Sequence, residues 1–180
     1  GFPAERDDGV WLVIENVGLI TLGDDEINWL CDEAITPLVG FNDLAPVDET
    51  GEVWLAATRQ GVFRTVNEGC AFQVVEGELT RHVTHFLRPH PSRFGEVLVA
   101  TQTLSAEAAN NVFVSEDGGQ TWVPSNIETT GRIRTLIRAQ ADPEFVYAVY
   151  SEGAARSEDG GHSFQPIDLN QTLMEPVDGT

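Results

Sequence analysis

Four short apolar segments recur along the chain at nearly constant intervals, and this spacing constrains the fold more than any other feature. They begin at Val10, Val53, Val97 and Val146, so the intervals are 43, 44 and 49 residues. Each segment is rich in β-branched or aromatic residues, which is typical of a buried strand. A period of this length is common in architectures that repeat one small β-sheet. The sequence therefore predicts an all-β fold of four similar units.

A turn residue follows each segment, and an aromatic residue stands at a fixed distance beyond it. The turn residues are Gly18, Gly61, Asn111 and Gly153. Eleven residues after them come Trp29, Phe72, Trp122 and Phe164. The same offset is found in unit three, although a longer connection at 102–110 interrupts that unit. The fixed offset therefore supports the alignment of the four units independently of the period.

The eight residues that end on each aromatic contain the most specific motif. Residues 115–122 read SEDGGQTW and residues 157–164 read SEDGGHSF, and both match the pattern S/T-x-D-x-G-x-S/T-W/F. Unit two, at 65–72, is weaker because Asn67 replaces the aspartate. Unit one, at 22–29, keeps an aspartate and the tryptophan but lacks the glycine.

The motif has a structural explanation that needs no ligand. An aspartate at a hairpin turn accepts hydrogen bonds from backbone N–H groups just after it, a glycine permits a positive φ, and the aromatic ring buries apolar area. We therefore predict a structural role, and neither catalysis nor metal binding, for these positions. They are Asp24, Trp29, Asn67, Phe72, Ser115, Asp117, Gly119, Thr121, Trp122, Ser157, Asp159, Gly161, Ser163 and Phe164.

Motif and period together resemble the Asp-box (BNR-repeat) β-propellers, a group that includes sialidases, sortilin-type receptors, xyloglucanases and photosystem II assembly factors. The resemblance spans all four units. It implies a β-propeller of four blades, each an antiparallel four-stranded sheet, with approximate repeats 1–36, 37–79, 80–129 and 130–180 in one domain or propeller segment. Because these relatives have unrelated activities, the resemblance implies the fold rather than the function.

The two ends of the chain leave two arrangements open. Only residues 1–9 precede the first apolar segment, so unit one is expected to lack an inner strand there. Residues 174–178 (MEPVD) are similar to residues 44–48 (LAPVD), which lead into unit two. The tail is therefore a candidate for the missing strand, which would close a four-bladed ring without exposed sheet edges. The alternative is that the four units belong to a larger propeller.

Cys31 and Cys70 are the two cysteines of the chain. A disulfide between them would link units one and two and would fit an extracytoplasmic protein, whereas two separate buried thiols are the alternative. Neither cysteine has the spacing of a zinc site.

His82 and His85 are separated by an odd number of residues, which places them on opposite faces of a strand and argues against a metal site there. We therefore expect no metal and no cofactor.

The charge balance argues against two classes of partner. All ten basic residues are arginine, against 29 acidic residues, and the formal net charge is −19. Such a charge disfavours nucleic acid and anionic membrane surfaces, and no apolar run approaches the length that spans a bilayer. Dense carboxylates keep a protein hydrated in salt, which fits a saline or extracellular setting. A genomic preference for arginine over lysine is the alternative explanation.

Three arginines form a candidate anion site. Arg88, Arg134 and Arg138 are expected on inner strands, which line the channel of a propeller, with Arg88 and Arg138 at equivalent places. Guanidinium groups bind carboxylates bidentately, so a cluster in the channel could hold an anion. The alternative is that these arginines pair with the surplus of Asp and Glu.

No catalytic residue can be assigned from the sequence. Sialidase chemistry needs a tyrosine nucleophile, but Tyr147 and Tyr150 lie in a segment that should be packed. A xyloglucanase-like site needs two opposed aspartates in a cleft between two propellers. The sequence favours a non-enzymatic binding or scaffold module for an unknown protein or glycan ligand, secreted, periplasmic or on the cell surface. The alternatives are a fragment of a sialidase-like or xyloglucanase-like glycoside hydrolase and a propeller that assists protein assembly.

Overall fold

The predicted all-β fold is confirmed. The computed structural model describes residues 5–6, 9–14, 18–22, 27–30, 41–67, 71–80, 82–102, 110–129 and 131–168, the first four ranges by their backbone. Their strands form four antiparallel four-stranded sheets, and within each sheet the strands are neighbours in chain order. This meander is the arrangement expected for propeller blades.

The four sheets, which we call A to D, contain sixteen strands. Sheet A has β1 (Glu5–Arg6), β2 (Gly9–Ile14), β3 (Gly18–Leu22) and β4 (Ile27–Leu30). Sheet B has β5 (Phe41–Pro46), β6 (Trp54–Thr58), β7 (Gly61–Thr65) and β8 (Gln73–Val74). Sheet C has β9 (Val83–Pro89), β10 (Val97–Gln102), β11 (Asn110–Ser115) and β12 (Val123–Thr129). Sheet D has β13 (Ile133–Arg138), β14 (Val146–Tyr150), β15 (Gly153–Ser157) and β16 (Gln165–Pro166).

Sheet A differs from the prediction at its first strand. Residues 1–9 were expected to contain no inner strand, but β1 pairs with β2 through Glu5↔Val10 and Arg6↔Gly9. Two residues are too few to produce a visible hydrophobic pattern, which is why the sequence does not reveal this strand. The place beside β2 is therefore filled, and residues 174–178, the candidate strand from the tail, lie outside the described residues.

The hairpin of unit one is also tighter than those of the later units. Leu22 pairs with Ile27, so four residues separate the paired positions. In unit three Val114 pairs with Val123, which leaves the eight residues 115–122 between them. Trp29 consequently lies within β4, paired with Ile20, and does not occupy the place that Trp122 has before β12. The alignment of residues 22–29 with the other motifs is therefore wrong in register.

Sheets B, C and D pack face to face in succession. Leu55 and Val62 of sheet B form one buried cluster with Val99 of sheet C. Leu98 of sheet C forms a second cluster with Leu136 of sheet D. Leu98 and Val99 thus face opposite neighbours, as alternation along a strand requires. The first strand of sheet C, β9, contacts the first strands of both neighbours, β5 and β13, so these three are the inner strands of this part of the molecule.

The pairing of β9 with β10 shows which way its arginine faces. Arg88 pairs with Leu98 and His85 with Ala100, so two residues, Phe86 and Leu87, stand opposite one. Arg138 pairs with Val146, which faces sheet C, whereas the partner of Arg88 faces sheet D. The predicted equivalence of Arg88 and Arg138 is therefore wrong by one residue, and an offset of one residue reverses the face.

Candidate functional site

The two ends of sheets B, C and D have different chemistry. One end, which we call the turn end, contains the connections 47–53, 90–96 and 139–145 and the hairpin turns that precede β8, β12 and β16. At the opposite end the inner strands begin. We call this the arginine end because it contains Arg59, Arg132 and Arg134.

At the turn end, the side chains of turn 115–122 satisfy one another. The Asp117 Oδ1 atom accepts hydrogen bonds from the backbone N–H groups of Gln120 and Thr121, each at 2.9 Å. Oδ2 accepts the Thr121 hydroxyl at 2.6 Å, and the Ser115 hydroxyl donates to Oδ1 at 2.8 Å. Partial burial alone would raise the pKa of Asp117, but the hydrogen bonds from Thr121 and Ser115 outweigh it and hold the pKa below its usual range.

Turn 157–164 repeats this arrangement. The Asp159 Oδ1 atom accepts the backbone N–H of Ser163 at 2.9 Å and the Ser157 hydroxyl at 2.7 Å. Burial acts to raise the pKa of Asp159, but hydrogen bonds from Ser163 and Ser157 lower it to about 2. In unit two Asn67 replaces the aspartate, and its Oδ1 accepts the N–H of Ala71 at 2.9 Å.

The glycines of both turns lie against the preceding sheet. Gly119 has a φ of 83°, and a Cβ there would come within 2.4 Å of the Leu55 side chain in sheet B. Gly161 has a φ of 101°, and a Cβ there would come within 2.6 Å of Leu98 in sheet C. Only a glycine therefore allows each turn to pack on its neighbour, which supports the structural role that we predict for the motif.

Arg88, one of the three arginines predicted to bind an anion, instead ties three sheets together. Its Nη1 lies 2.9 Å from the Asp43 Oδ2 atom of sheet B, and its Nε donates to the carbonyl of Leu136 in sheet D at 2.7 Å. The guanidinium is thus neutralised by a neighbouring carboxylate, which is the alternative that the sequence left open.

Arg138 is likewise paired, at the turn end. Its Nη1 lies 2.9 Å from Glu96 Oε1, and the Arg138 side chain is only 4% exposed. It also donates to the carbonyls of Pro143 and Gly160 at 3.0 and 3.3 Å. Burial lowers the pKa of Arg138, although the guanidinium remains charged beside Glu96. The structure therefore separates Arg138 from Arg134, which is exposed near the start of β13.

The arginine end presents three guanidinium groups to solvent. Arg59 lies in the turn between β6 and β7, Arg132 directly precedes β13, and Arg134 follows within it. All three are exposed. Among the described residues, no carboxylate forms an ion pair with any of them. This is unexpected in a chain with 29 acidic residues.

His85 lies at the same end, half-buried on β9. The Nε2 atom of its imidazole is buried without a hydrogen-bond partner among the described residues. Burial lowers the pKa of His85, and the charge of Arg132 lowers it further. The hydrophobic pattern does not reveal this environment, because its only local signal is the odd step from His82, and the bulge beside His85 leaves no trace in it.

Other candidate sites have less distinctive chemistry. A groove of about 360 Å³ at the turn end is lined by both polar and apolar side chains, including Arg64, Val66 and Gln120. Within the described ranges, no group of His, Cys, Asp and Glu side chains is arranged to hold a metal ion. Among the residues that the structure describes, no helix is long and apolar enough to cross a membrane. Cys31 and Cys70 lie outside the described residues.

Comparison with solved structures identifies the architecture. The chain is similar to an ancestral GH74 enzyme, with a TM-score of 0.73 and 16% identity over 92% of this chain and 23% of that one. It is also similar to the GH74 xyloglucanase from Xanthomonas campestris, with a TM-score of 0.63 and 11% identity over 89% of this chain and 28% of that one. The structure of YCF48 bound to D1 peptide gives a TM-score of 0.60 and 17% identity over 93% of this chain and 54% of that one.

These similarities show the fold: the sheets match portions of the GH74 xyloglucanase and YCF48 β-propellers. The chain spans between about a quarter and about half of the length of these structures. No protein-family model matches the chain, and no curated protein matches it in sequence.

Proposed function

We propose that the chain is a non-enzymatic binding or scaffold module of the Asp-box β-propeller type, and that its ligand binds at the arginine end. The observation that supports this most strongly is the set of three exposed arginines without a described carboxylate partner. In a chain of net charge −19, carboxylates are abundant, and an exposed arginine would be expected to pair with one of them. Such violations are expected at functional sites, where a ligand supplies the missing partner.

The turn end is the less suitable binding surface. The carboxylates of Asp117 and Asp159 are engaged by their own turns, and Arg138 is engaged by Glu96. A ligand there would have to compete with contacts that hold neighbouring sheets together. At the arginine end, the side chains of Arg59, Arg132 and Arg134 form no ion pair with any described carboxylate.

An assembly-factor propeller is the second candidate. It is favoured by the similarity to YCF48 bound to D1 peptide, because a peptide ligand would suit an exposed face with cationic side chains. A glycoside hydrolase is the third candidate, favoured by the similarity to the GH74 structures. The three candidates differ in the ligand that they bind and in whether they hydrolyse it, so one set of binding and activity measurements distinguishes them.

The test combines a glycan array, an array of acidic peptides and a panel of fluorogenic xyloglucan substrates. We expect binding to one of the arrays without hydrolysis. The variant Arg59→Ser/Arg132→Ser/Arg134→Ser should lose this binding. Arg156→Ser is the matched control, because Arg156 is similarly exposed but is paired with Glu158. Hydrolysis of the xyloglucan substrates, or equal loss of binding in the control, would contradict the proposal.

An extracytoplasmic location is part of the same proposal. It is supported by the acidic, lysine-free composition and by the even number of cysteines. We expect a Cys31–Cys70 disulfide, which alkylation and mass spectrometry of the unreduced protein would detect as a loss of two reactive thiols. Two alkylated cysteines would contradict the bridge and weaken the proposed location.

A further inference from the structure

We infer that His85, Arg132 and Arg59 form a binding site for a carboxylate group at the arginine end. This inference rests on the proposed function and names the ligand chemistry of the same face. The three residues come from three sheets: Arg59 from the β6–β7 turn of sheet B, His85 from β9 of sheet C, and Arg132 from the start of sheet D.

Hydrogen bonds hold the backbone beside these residues in place. The N–H of Thr58, next to Arg59, donates to the Thr84 Oγ1 atom at 2.9 Å, and that hydroxyl also contacts the Gly61 carbonyl at 2.9 Å. The turn that carries Arg59 is thereby fixed against the residue before His85. On the other side, the Ser151 N–H donates to the Arg132 carbonyl at 3.2 Å. A site whose backbone is held in this way is preorganised for a ligand.

The backbone next to His85 is strained. Phe86 has a φ of 58°, which a residue with a Cβ rarely adopts, and it stands in the bulge of β9. Bulges reorient side chains beside functional sites, and such strain persists only where the surrounding structure enforces it. The Phe86 ring lies 5.8 Å from the imidazole of His85, so the bulge and the histidine are in contact.

The imidazole itself has an unmet hydrogen-bonding atom. Nε2 is buried without a partner, although buried polar atoms are rarely left unsatisfied. A ligand oxygen at Nε2 would supply the missing partner.

The charges around His85 favour an anionic ligand. Arg132 and Arg59 both act to lower the pKa of His85, whereas Asp43 acts to raise it. Asp43 is itself paired with Arg88 at 2.9 Å, so it is not available to neutralise the two exposed arginines. A bound carboxylate would pair with guanidinium groups and favour the protonated imidazole, whose Nε2–H would then donate to it.

Binding should therefore take up a proton. Because the bound carboxylate raises the pKa of His85, affinity increases as the pH falls toward the range in which the imidazole protonates, about pH 6.5 for an ordinary histidine. Two sources of the carboxylate have the same chemistry, an acidic peptide and a uronic-acid oligosaccharide. The experiment therefore uses both as separate probes.

The test measures affinity by calorimetry with a hexapeptide of glutamate and with a galacturonate oligomer, at about pH 5.5 and about pH 7.5. We expect one probe to bind, about tenfold more tightly at the lower pH. Arg132→Gln should weaken binding about tenfold or more, and Arg156→Gln should leave it unchanged. His85→Gln should abolish the pH dependence but retain most of the affinity at the higher pH. Circular dichroism confirms that each variant is folded.

The outcomes separate this inference from the proposed function. Equal affinity of Arg132→Gln and Arg156→Gln, or an affinity of the unmodified chain that does not change with pH, would overturn the carboxylate site. If neither probe binds while a neutral glycan or peptide on the arrays does, the site is also wrong but the binding module stands. If the chain hydrolyses glycosides, the binding module fails, and the pH dependence still decides whether His85 and Arg132 bind a carboxylate.

Discussion

Asp117 accepts three hydrogen bonds from Gln120 and Thr121, which follow it by three and four residues, and one from Ser115 before it. Each of these donors would otherwise need water or another acceptor. Spacing alone predicted that the aspartate would accept backbone N–H groups, because the residues involved are adjacent in the chain. The partners of Arg88 and Arg138 could not be predicted in the same way, since they come from other sheets and depend on strand register.

The first prediction concerns Asp117→Ala. The substitution leaves the N–H groups of Gln120 and Thr121 without their acceptor, so we expect the free energy of unfolding to fall by about 1–3 kcal/mol. Chemical denaturation measures this change. Asp117→Asn is the control and should cost less, because Asn67 already accepts an N–H group at the equivalent place. Equal losses for both variants would show that charge, rather than hydrogen bonding, stabilises the turn.

The second prediction concerns the pH dependence of stability. The folded pKa of Asp159 is about 2, whereas an ordinary aspartate titrates near about 3.9. Because the folded pKa is lower than the unfolded one, the stabilisation is fully present above about pH 4 and is lost as the pH falls toward about 2. Denaturation at a series of pH values should show a shallower acid loss for Asp159→Asn. Identical acid profiles for both proteins would contradict the shifted pKa.

At the scale of elements, turns 115–122 and 157–164 join sheets as well as strands. Each places a glycine against a leucine of the second strand in the preceding sheet. The motif is therefore at once a hairpin turn and part of an interface. Its glycine is required by φ and by the close approach of the neighbouring side chain, and these two requirements can be separated by experiment.

The third prediction uses that separation. Gly77 has a φ of 124° with no atom within 4 Å of an added Cβ, whereas an added Cβ at Gly161 would lie 2.6 Å from Leu98. Gly77→Ala should therefore cost only the backbone strain, about 1–2 kcal/mol. Gly161→Ala adds a steric clash between sheets and should cost about 3 kcal/mol or more. Denaturant midpoints compare the two, and similar losses would mean that the contact between turn and sheet contributes little.

The fourth prediction concerns the buried pair between Glu96 and Arg138. Glu96→Gln removes the partner of a guanidinium whose side chain is only 4% exposed, so we expect a loss of about 3–5 kcal/mol. Glu158→Gln is the matched control, since Glu158 pairs with Arg156 at an exposed position and should change stability by less than about 1 kcal/mol. Thermal and chemical denaturation of both variants give the comparison. A small effect at Glu96 would show that water or Glu144 replaces the lost partner.

Much of the element structure could be predicted because it follows from local patterns. The four apolar segments coincide with β2, β6, β10 and β14, and Arg88 and Arg138, which were expected on inner strands, lie in β9 and β13. Two features were not predicted: β1, which has only two residues, and the pairing of β9 with β10. Arg88 is offset by one residue from Arg138 relative to the strand that follows each, and the bulge beside His85 has no distinctive composition, so both are seen only in the pairing.

At the scale of the whole molecule, sheets B, C and D repeat the same kind of interface. Apolar residues of one sheet pack on the next, and a glycine of the later turn covers a leucine of the earlier sheet. Stability in such an array is approximately a sum of sheet and interface terms. The short-range contacts within and between sheets stabilise the folded state, whereas the long-range repulsion among the surplus carboxylates destabilises it.

The last prediction follows from that opposition. With a net charge of −19, repulsion between exposed carboxylates destabilises the folded state, and added salt screens it. Raising sodium chloride from about 0.05 M to about 0.5 M shortens the screening length to a few ångströms, so we expect the melting temperature to rise by several degrees. The buried pair of Glu96 and Arg138 is screened much less than exposed charges and should not reverse this trend.

The control for this prediction is a charge-reduced variant in which Glu49, Glu52 and Glu78, all exposed, are replaced by glutamine. It should melt at a higher temperature than the unmodified chain in low salt and gain less from added salt, because less repulsion remains to be screened. Caesium chloride at the same ionic strength should act like sodium chloride if screening is the cause. A melting temperature that falls with salt, or an equal gain in the variant, would show that local ion pairs outweigh the net charge.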